Sequence, residues 1–177
     1  MKSLTALLLL SFVFLSCSTE PSLQRYMVDR ESSPNFISAS LSTNLLLQNL
    51  DELTSEETIS FEKINKVNVL AYMKSDSLSE LENERNTLKS ILVHSDFESL
   101  FEFNNGEREA HLMFVGAQDH IRELVFYGYD FSKGMLLLRL DAKDLKADDL
   151  YRITQSTQKL YMTDLSNNFS DFLGKLN

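Results

Sequence analysis

Cysteine is nearly missing from this chain. Of 177 residues only Cys17 carries a thiol, which excludes a disulfide framework within the chain. Tryptophan is absent, and there are only two prolines and five glycines. So few chain breakers argue against a long disordered body. They also provide no glycine-rich loop to cradle a phosphate. Positive charge is short as well: 17 Lys and Arg stand against 26 Asp and Glu, a formal net charge of −9. That balance argues against nucleic acid, whose phosphates demand Lys and Arg. It equally argues against an extended polybasic lipid-binding face. The acidic groups serve mainly solubility. A membrane-spanning run is missing too. Leu4–Leu15 is apolar for about a dozen residues, the length of a signal-peptide core and short of the roughly 20 that cross a bilayer.

That short run ends in the one motif with a defined chemical fate. Lys2 precedes it as a positive start, and Phe14-Leu15-Ser16-Cys17 closes it. The tetrapeptide resembles the lipobox of bacterial lipoproteins, with Phe14 in place of the more usual leucine. The resemblance implies cleavage between Ser16 and Cys17 and lipid, palmitate included, on Cys17. Hydrocarbon burial contributes about 0.8 kcal/mol per CH2, and stable anchoring takes more than one chain. The two or three chains of a mature bacterial lipoprotein would therefore hold durably. An acylated Cys17 leaves no thiol for catalysis. Ser18 stands where an aspartate would favour inner-membrane retention, so an outer-membrane location is expected. A single acid, Glu20, in Ser18–Pro21 favours the periplasmic face over the cell surface.

Three parts follow: a lipoprotein signal peptide over 1–16, a lipidated tether over 17–34, and one domain over 35–177. Both prolines, Pro21 and Pro34, fall in the tether. Leu23, Tyr26 and Met27 have helical spacing there, leaving a short helix or an open linker as alternatives. Phe36–Leu41 alternates weakly as a strand. Leu45, Leu46, Leu47, Leu50 and Leu53 make a helical stripe, and Thr54-Ser55-Glu56-Glu57 fits a capping box opening another helix. Lys66–Met73 is apolar on both faces, as an interior strand is. The spacing predicts a helix over Ser79–Ser95, with Ser77 and Glu80 as its capping box and Leu78, Leu81, Leu88, Ile91 and Leu92 as its apolar stripe. The charged run Glu80–Arg85 reads as its solvated face.

From Phe97 to Asp141 the period becomes two. Phe97, Phe101 and Phe103 share a parity, and Asn105-Gly106 is a hairpin signal because a type I′ turn needs positive φ at both centres. Short turns then separate three more apolar runs, which implies an antiparallel meander. Asp144–Gln158 reads as a helix. Leu160–Leu176 reads as a terminal amphipathic helix with Leu165, Phe169, Phe172, Leu173 and Leu176 on one side. The fold expected is α+β, a single domain: an antiparallel-rich sheet of five or six strands packed by helices mainly on one face.

Four pieces in this order carry a family resemblance: Lys66-Val67-Asn68-Val69-Leu70, Ser95-Asp96-Phe97-Glu98-Ser99-Leu100, Ile121-Arg122-Glu123-Leu124-Val125 and Leu137-Leu138-Arg139-Leu140. With the lipobox and the early strand, the chain resembles the small Bacteroidota lipoproteins grouped as domain of unknown function 4252. The resemblance spans roughly Ser22 to Gln158 and leaves residues 160–177 outside. It implies no activity, cofactor or catalytic residue.

Little else suggests chemistry. His94, His111 and His120 lack the close spacing of a zinc site. No G-x-S-x-G elbow occurs, and Asp144–Asp149 lacks the order of a calcium loop. No Asp or Glu sits inside an apolar run where burial would raise its pKa. Glu123 and Arg139, on neighbouring strands, read as a cross-strand ion pair on the solvent face. The expectation is a non-enzymatic, membrane-anchored cell-envelope lipoprotein without catalytic residues, cofactor or metal. It would bind a protein or peptide partner. The alternative is a lipid or small-molecule domain with a pocket between sheet and helices.

Overall fold

A computed structural model describes residues 22–42, 53–73 and 78–161. Ser16 and Cys17, the Leu45–Leu50 stripe, the Ser77 cap and the terminal helix beyond 161 lie outside the described residues.

The described chain runs α1 (Leu23–Glu31), β1 (Phe36–Ser42), α2 (Ser55–Glu62), β2 (Ile64–Met73), α3 (Leu78–His94), β3 (Glu98–Asn104), β4 (Arg108–Ala117), β5 (His120–Asp130), β6 (Gly134–Leu145) and α4 (Ala147–Tyr161). The six strands form one sheet in the order β1-β2-β6-β5-β4-β3, and every neighbouring pair is antiparallel. The α+β expectation holds. β2, apolar on both faces, lies inside the sheet between β1 and β6.

One face carries the main core. Phe36, Leu70, Tyr72, Leu137, Val125, Tyr127 and Met113 project from the strands and meet Leu23 and Tyr26 of α1 and Leu81, Leu88, Ile91 and Leu92 of α3. Leu88 is fully buried, and burying such a side chain contributes about 1.5–3 kcal/mol. The helix alternative at Leu23–Met27 is the one adopted. The Ser22 hydroxyl accepts the Arg25 N–H at 3.2 Å and starts the helix. Tyr26 then meets Phe36 edge-on, so residues within the expected tether pack on the sheet.

Among the described residues the opposite face is covered at one end only. Leu150 and Ile153 of α4 pack there on the cluster of Phe114, Ile121, Leu124 and Leu145. α2 begins with the expected capping box: Glu57 N donates to Thr54 Oγ1 and Thr54 N donates to Glu57 Oε2. Buried Asp149 ties α2 to α4, accepting from Ser60 Oγ at 3.0 Å, Lys63 Nζ at 2.5 Å and Lys146 N at 2.9 Å. Burial pushes the Asp149 carboxyl up, but these donors outweigh it and hold the group below the ordinary aspartate value.

Bulges change which residues share a face. Phe97, Phe101 and Phe103 have one parity, yet pairing shifts between Ser99 and Phe101. Phe97 therefore packs into the helix-covered core, while Phe103 lines the opposite face. An extra residue in one strand turns all later side chains over.

Candidate functional site

Beyond the reach of α4, the described residues leave the second sheet face uncovered. Ile37, Ala39 and Leu41 of β1, Val69, Ala71 and Met73 of β2, Leu136 of β6, Phe126 of β5, Ala110 of β4 and Phe103 of β3 line an open groove of about 680 Å3. All six strands thus contribute to a continuous apolar floor. Met73 and Phe103 are 52 % and 45 % exposed. The volume falls within the roughly 300–1,000 Å3 of ligand sites. Small residues shape the floor: Ala39, Ala71, Ala110 and Gly128 leave the depth that larger side chains would fill. Polar groups are confined to the mouth, where Arg108 pairs with Asp130 at 3.0 Å and Lys133 stands alongside.

The helix-covered face is different. The space there beside α1 is a cleft of about 180 Å3 with Gln24, Ser38, Asn68 and Arg139 in its wall. A sizeable pocket between sheet and helices, expected under the lipid-binding alternative, is not found among the described residues. Packed side chains fill that interface, and the large groove lies on the other side.

A buried polar cluster sits between α3 and β4–β5. Glu109, 2 % exposed, pairs with Arg85, and accepts from Lys89 at 3.1 Å and Asn104 at 3.0 Å. Burial pushes the Glu109 carboxyl up, while the Arg85 and Lys89 hydrogen bonds pull harder and leave it below the ordinary glutamate value. Arg85 also lies over the Tyr129 ring, 4.5 Å from its centroid. Tyr129 donates to Glu82 at 2.5 Å. Burial and that bond push the phenol up to about 12. Tyr127 stacks on His111 at 5.6 Å. Arg85 Nε, Glu109 Oε2, His111 Nε2 and the Tyr127 hydroxyl are buried without a hydrogen-bond partner among the described residues.

Residues 26–153 match a family model described as "Domain of unknown function (DUF4252)". The chain belongs to this family. No curated protein and no solved structure shows a significant match. The DUF4252 span runs from Tyr26 in α1 to Ile153 in α4 and takes in all six strands, so both the groove and the buried cluster are built from it.

Sequence-predicted residues fall into this DUF4252 frame unevenly. Glu123 and Arg139 do pair, through two bonds of 2.8 and 3.0 Å. They are not on an open solvent face: their side chains are 19 % and 17 % exposed, on the helix side, with Gln24 of α1 also accepting from Arg139. The Glu80–Arg85 run is only in part a solvated face: Glu80 and Asn83 are exposed, but its acids have partners on the sheet side. Glu80 accepts from Tyr72, Glu84 from Tyr26 and Arg30, and Glu82 from Tyr129. The three histidines do not converge. His94 contacts Ser90 O, His111 faces Glu102, and His120 lies near Asp119 and Asp144. No group of three His, Cys, Asp or Glu able to hold a metal occurs among the described residues. The periodicity misses Glu109 altogether. Its one sequence signal is parity, since it alternates with His111 and Met113 toward the helix side.

Proposed function

We propose that this DUF4252 chain is a non-enzymatic cell-envelope lipoprotein, held by lipid on Cys17, whose domain receives an amphipathic helix of a partner protein. The lipobox Phe14–Cys17 supports the anchor. The bare apolar groove carries the binding role. Exposed apolar patches of this kind mark interaction sites. The groove floor is the middle of a sheet whose backbone groups are already paired. An extended peptide laid there would leave its own N–H and C=O groups unpaired. A helix satisfies its backbone internally and needs only an apolar stripe, the helix-in-groove mode. A second occupant, an acyl chain with an anionic head, is favoured by one observation: Arg108 and Lys133 stand at the mouth.

Site-specific photo-crosslinking in cells tests this. A benzophenone side chain at Phe103, inside the groove, is expected to give an adduct of a second polypeptide. The same group at Tyr151, exposed on α4, is expected to give none, and Met73→Arg is expected to remove the Phe103 adduct. A lipid-sized adduct would transfer the role to the acyl-chain occupant. No adduct at Phe103 would sink both.

A further inference from the structure

We propose that β3 is a docking edge of the sheet: a partner protein adds an extended strand there, with a basic residue opposite Glu102 and an apolar residue on each side of it. This goes beyond the groove reading and stands apart from it, because Glu102 lies on the helix-covered face, paired with His111.

The first observation is exposure. β3 ends the strand order, so among the described residues it has a neighbouring strand on one side only. All seven of its residues are exposed. β1, at the other edge, exposes only Ser40 and Ser42. Natural edge strands are blunted by lysine, proline or bulges. β3 contains no lysine and no proline. Its bulge falls at Leu100, between the pairs of Ser99 with Met113 and Phe101 with Leu112, which leaves Phe101–Asn104 regular.

The second is the direction of the backbone. Asn105 N donates to Arg108 O at 3.1 Å, in step with the pairing of Asn104 with Glu109. Hydrogen-bonded and non-hydrogen-bonded pairs alternate along an antiparallel ladder. From Asn105 back, Phe103 and Phe101 therefore turn their N–H and C=O toward β4, and Asn104 and Glu102 turn theirs outward. An added strand meets these outward groups, the strand-addition mode of recognition.

The third is side-chain chemistry. Phe101 and Phe103 share one face and are both exposed. Glu102, its side chain 63 % exposed, projects from the other face. A neighbouring strand therefore gains from apolar residues beside the rings and a cation opposite the carboxylate. A second copy of β3 fits less well. Paired antiparallel with Phe101 opposite Phe103 of the other copy, it would set the two Glu102 carboxylates against each other, and like charges directly opposite destabilise. Charge thus selects a basic strand, on a chain of formal net charge −9.

The test uses the full chain in non-ionic detergent, with empty micelles as the control. The probe is a labelled seven-residue peptide, valine–lysine–valine flanked by threonines, followed by anisotropy. It is expected to bind about fivefold tighter than the same peptide with glutamate for lysine. Glu102→Lys is expected to invert that preference, and the milder Glu102→Gln to erase it. N-methylation of the peptide's lysine amide, which faces Glu102, is expected to abolish binding. N-methylation of the valine amide after it, which points away from β3, is expected to leave binding intact. No binding of the lysine peptide, equal effects of the two N-methylations, or a preference unmoved by Glu102→Gln would each overturn the proposal. Sedimentation of the chain alone tests the other occupant: a dimer that Phe101→Lys dissociates would assign the edge to a second copy and overturn it as well.

Discussion

At the scale of single residues, Glu109 is the acid whose environment matters most. Its carboxylate is held between α3 and the sheet by Arg85, Lys89 and Asn104. Removing one member of a buried pair leaves the other charge uncompensated, a cost of about 3–5 kcal/mol. Partial exposure of Lys89 and Arg85 places Glu109→Gln toward the lower end, about 3 kcal/mol, measured as a lower urea midpoint with unchanged slope. The pH dependence has a definite sign. Glu109 and Asp149 both have folded pKa values below their ordinary values of 4.5 and 3.8. Above those values both groups are ionised in either state, and their stabilisation is fully present. As pH falls, the unfolded chain takes up protons first, so stability is lost until the folded values are passed. Thermal midpoints should therefore fall between pH 5 and pH 3, and Glu109→Gln should show a shallower fall than the wild type. None of this is legible from Glu109's neighbours in sequence, Arg108 and Ala110. Its burial comes from a helix that precedes it in the chain and covers it only after folding.

Among the elements, the turns of the meander differ in how much they constrain their residues. Gly116 has φ +123°, and a Cβ there would come closer than 3.0 Å to the His120 carbonyl oxygen. It sits where the β4–β5 pairing shifts between Val115 and Gly116. Gly106, in the β3–β4 hairpin, also has positive φ, at +91°, but a Cβ would meet nothing within 4 Å. Both substitutions to Ala carry the backbone cost of a positive φ, about 1–2 kcal/mol. Only Gly116→Ala adds a backbone clash. Gly116→Ala should therefore destabilise by at least about 1 kcal/mol more than Gly106→Ala, checked by equilibrium unfolding of both. Local signals located most elements. The Thr54–Glu57 box and the leucine stripe of α3 are short-range patterns, and both appear in the structure where their spacing puts them. The Asn105-Gly106 hairpin forms too, but not as a type I′ turn: three residues join Asn104 to Arg108, and of Asn105 and Gly106 only Gly106 has positive φ. Parity across the β3 bulge was not legible. One inserted residue sends Phe97 and Phe103 to opposite faces, and no composition cue marks the insertion.

For the whole molecule, two surfaces of one sheet have different duties. The helix-covered face holds the core. The other is closed by α4 at one end and, among the described residues, left open over the groove. Among the described residues no helix is long and apolar enough to cross a membrane. The anchor proposed above rests on Cys17. Cys17→Ala should move the protein from the membrane fraction to the soluble fraction and remove its lipid mass. Retention in the membrane without lipid would disprove the anchor.

The sequence by itself determined the scarcity of thiols, the short apolar run ending at Cys17, the acidic balance and the α+β class with its antiparallel meander. These are properties of composition and of periods read over a few neighbouring residues. Only the tertiary structure decided which sheet face is filled, where the groove opens and which charges are buried. Each of those depends on pairing between distant segments: the placement of β6 between β2 and β5, the packing of α1 and α3 on the same face, and bulges that turn a strand over. A one-residue change in register exchanges core for surface, and local periodicity carries no information about that exchange.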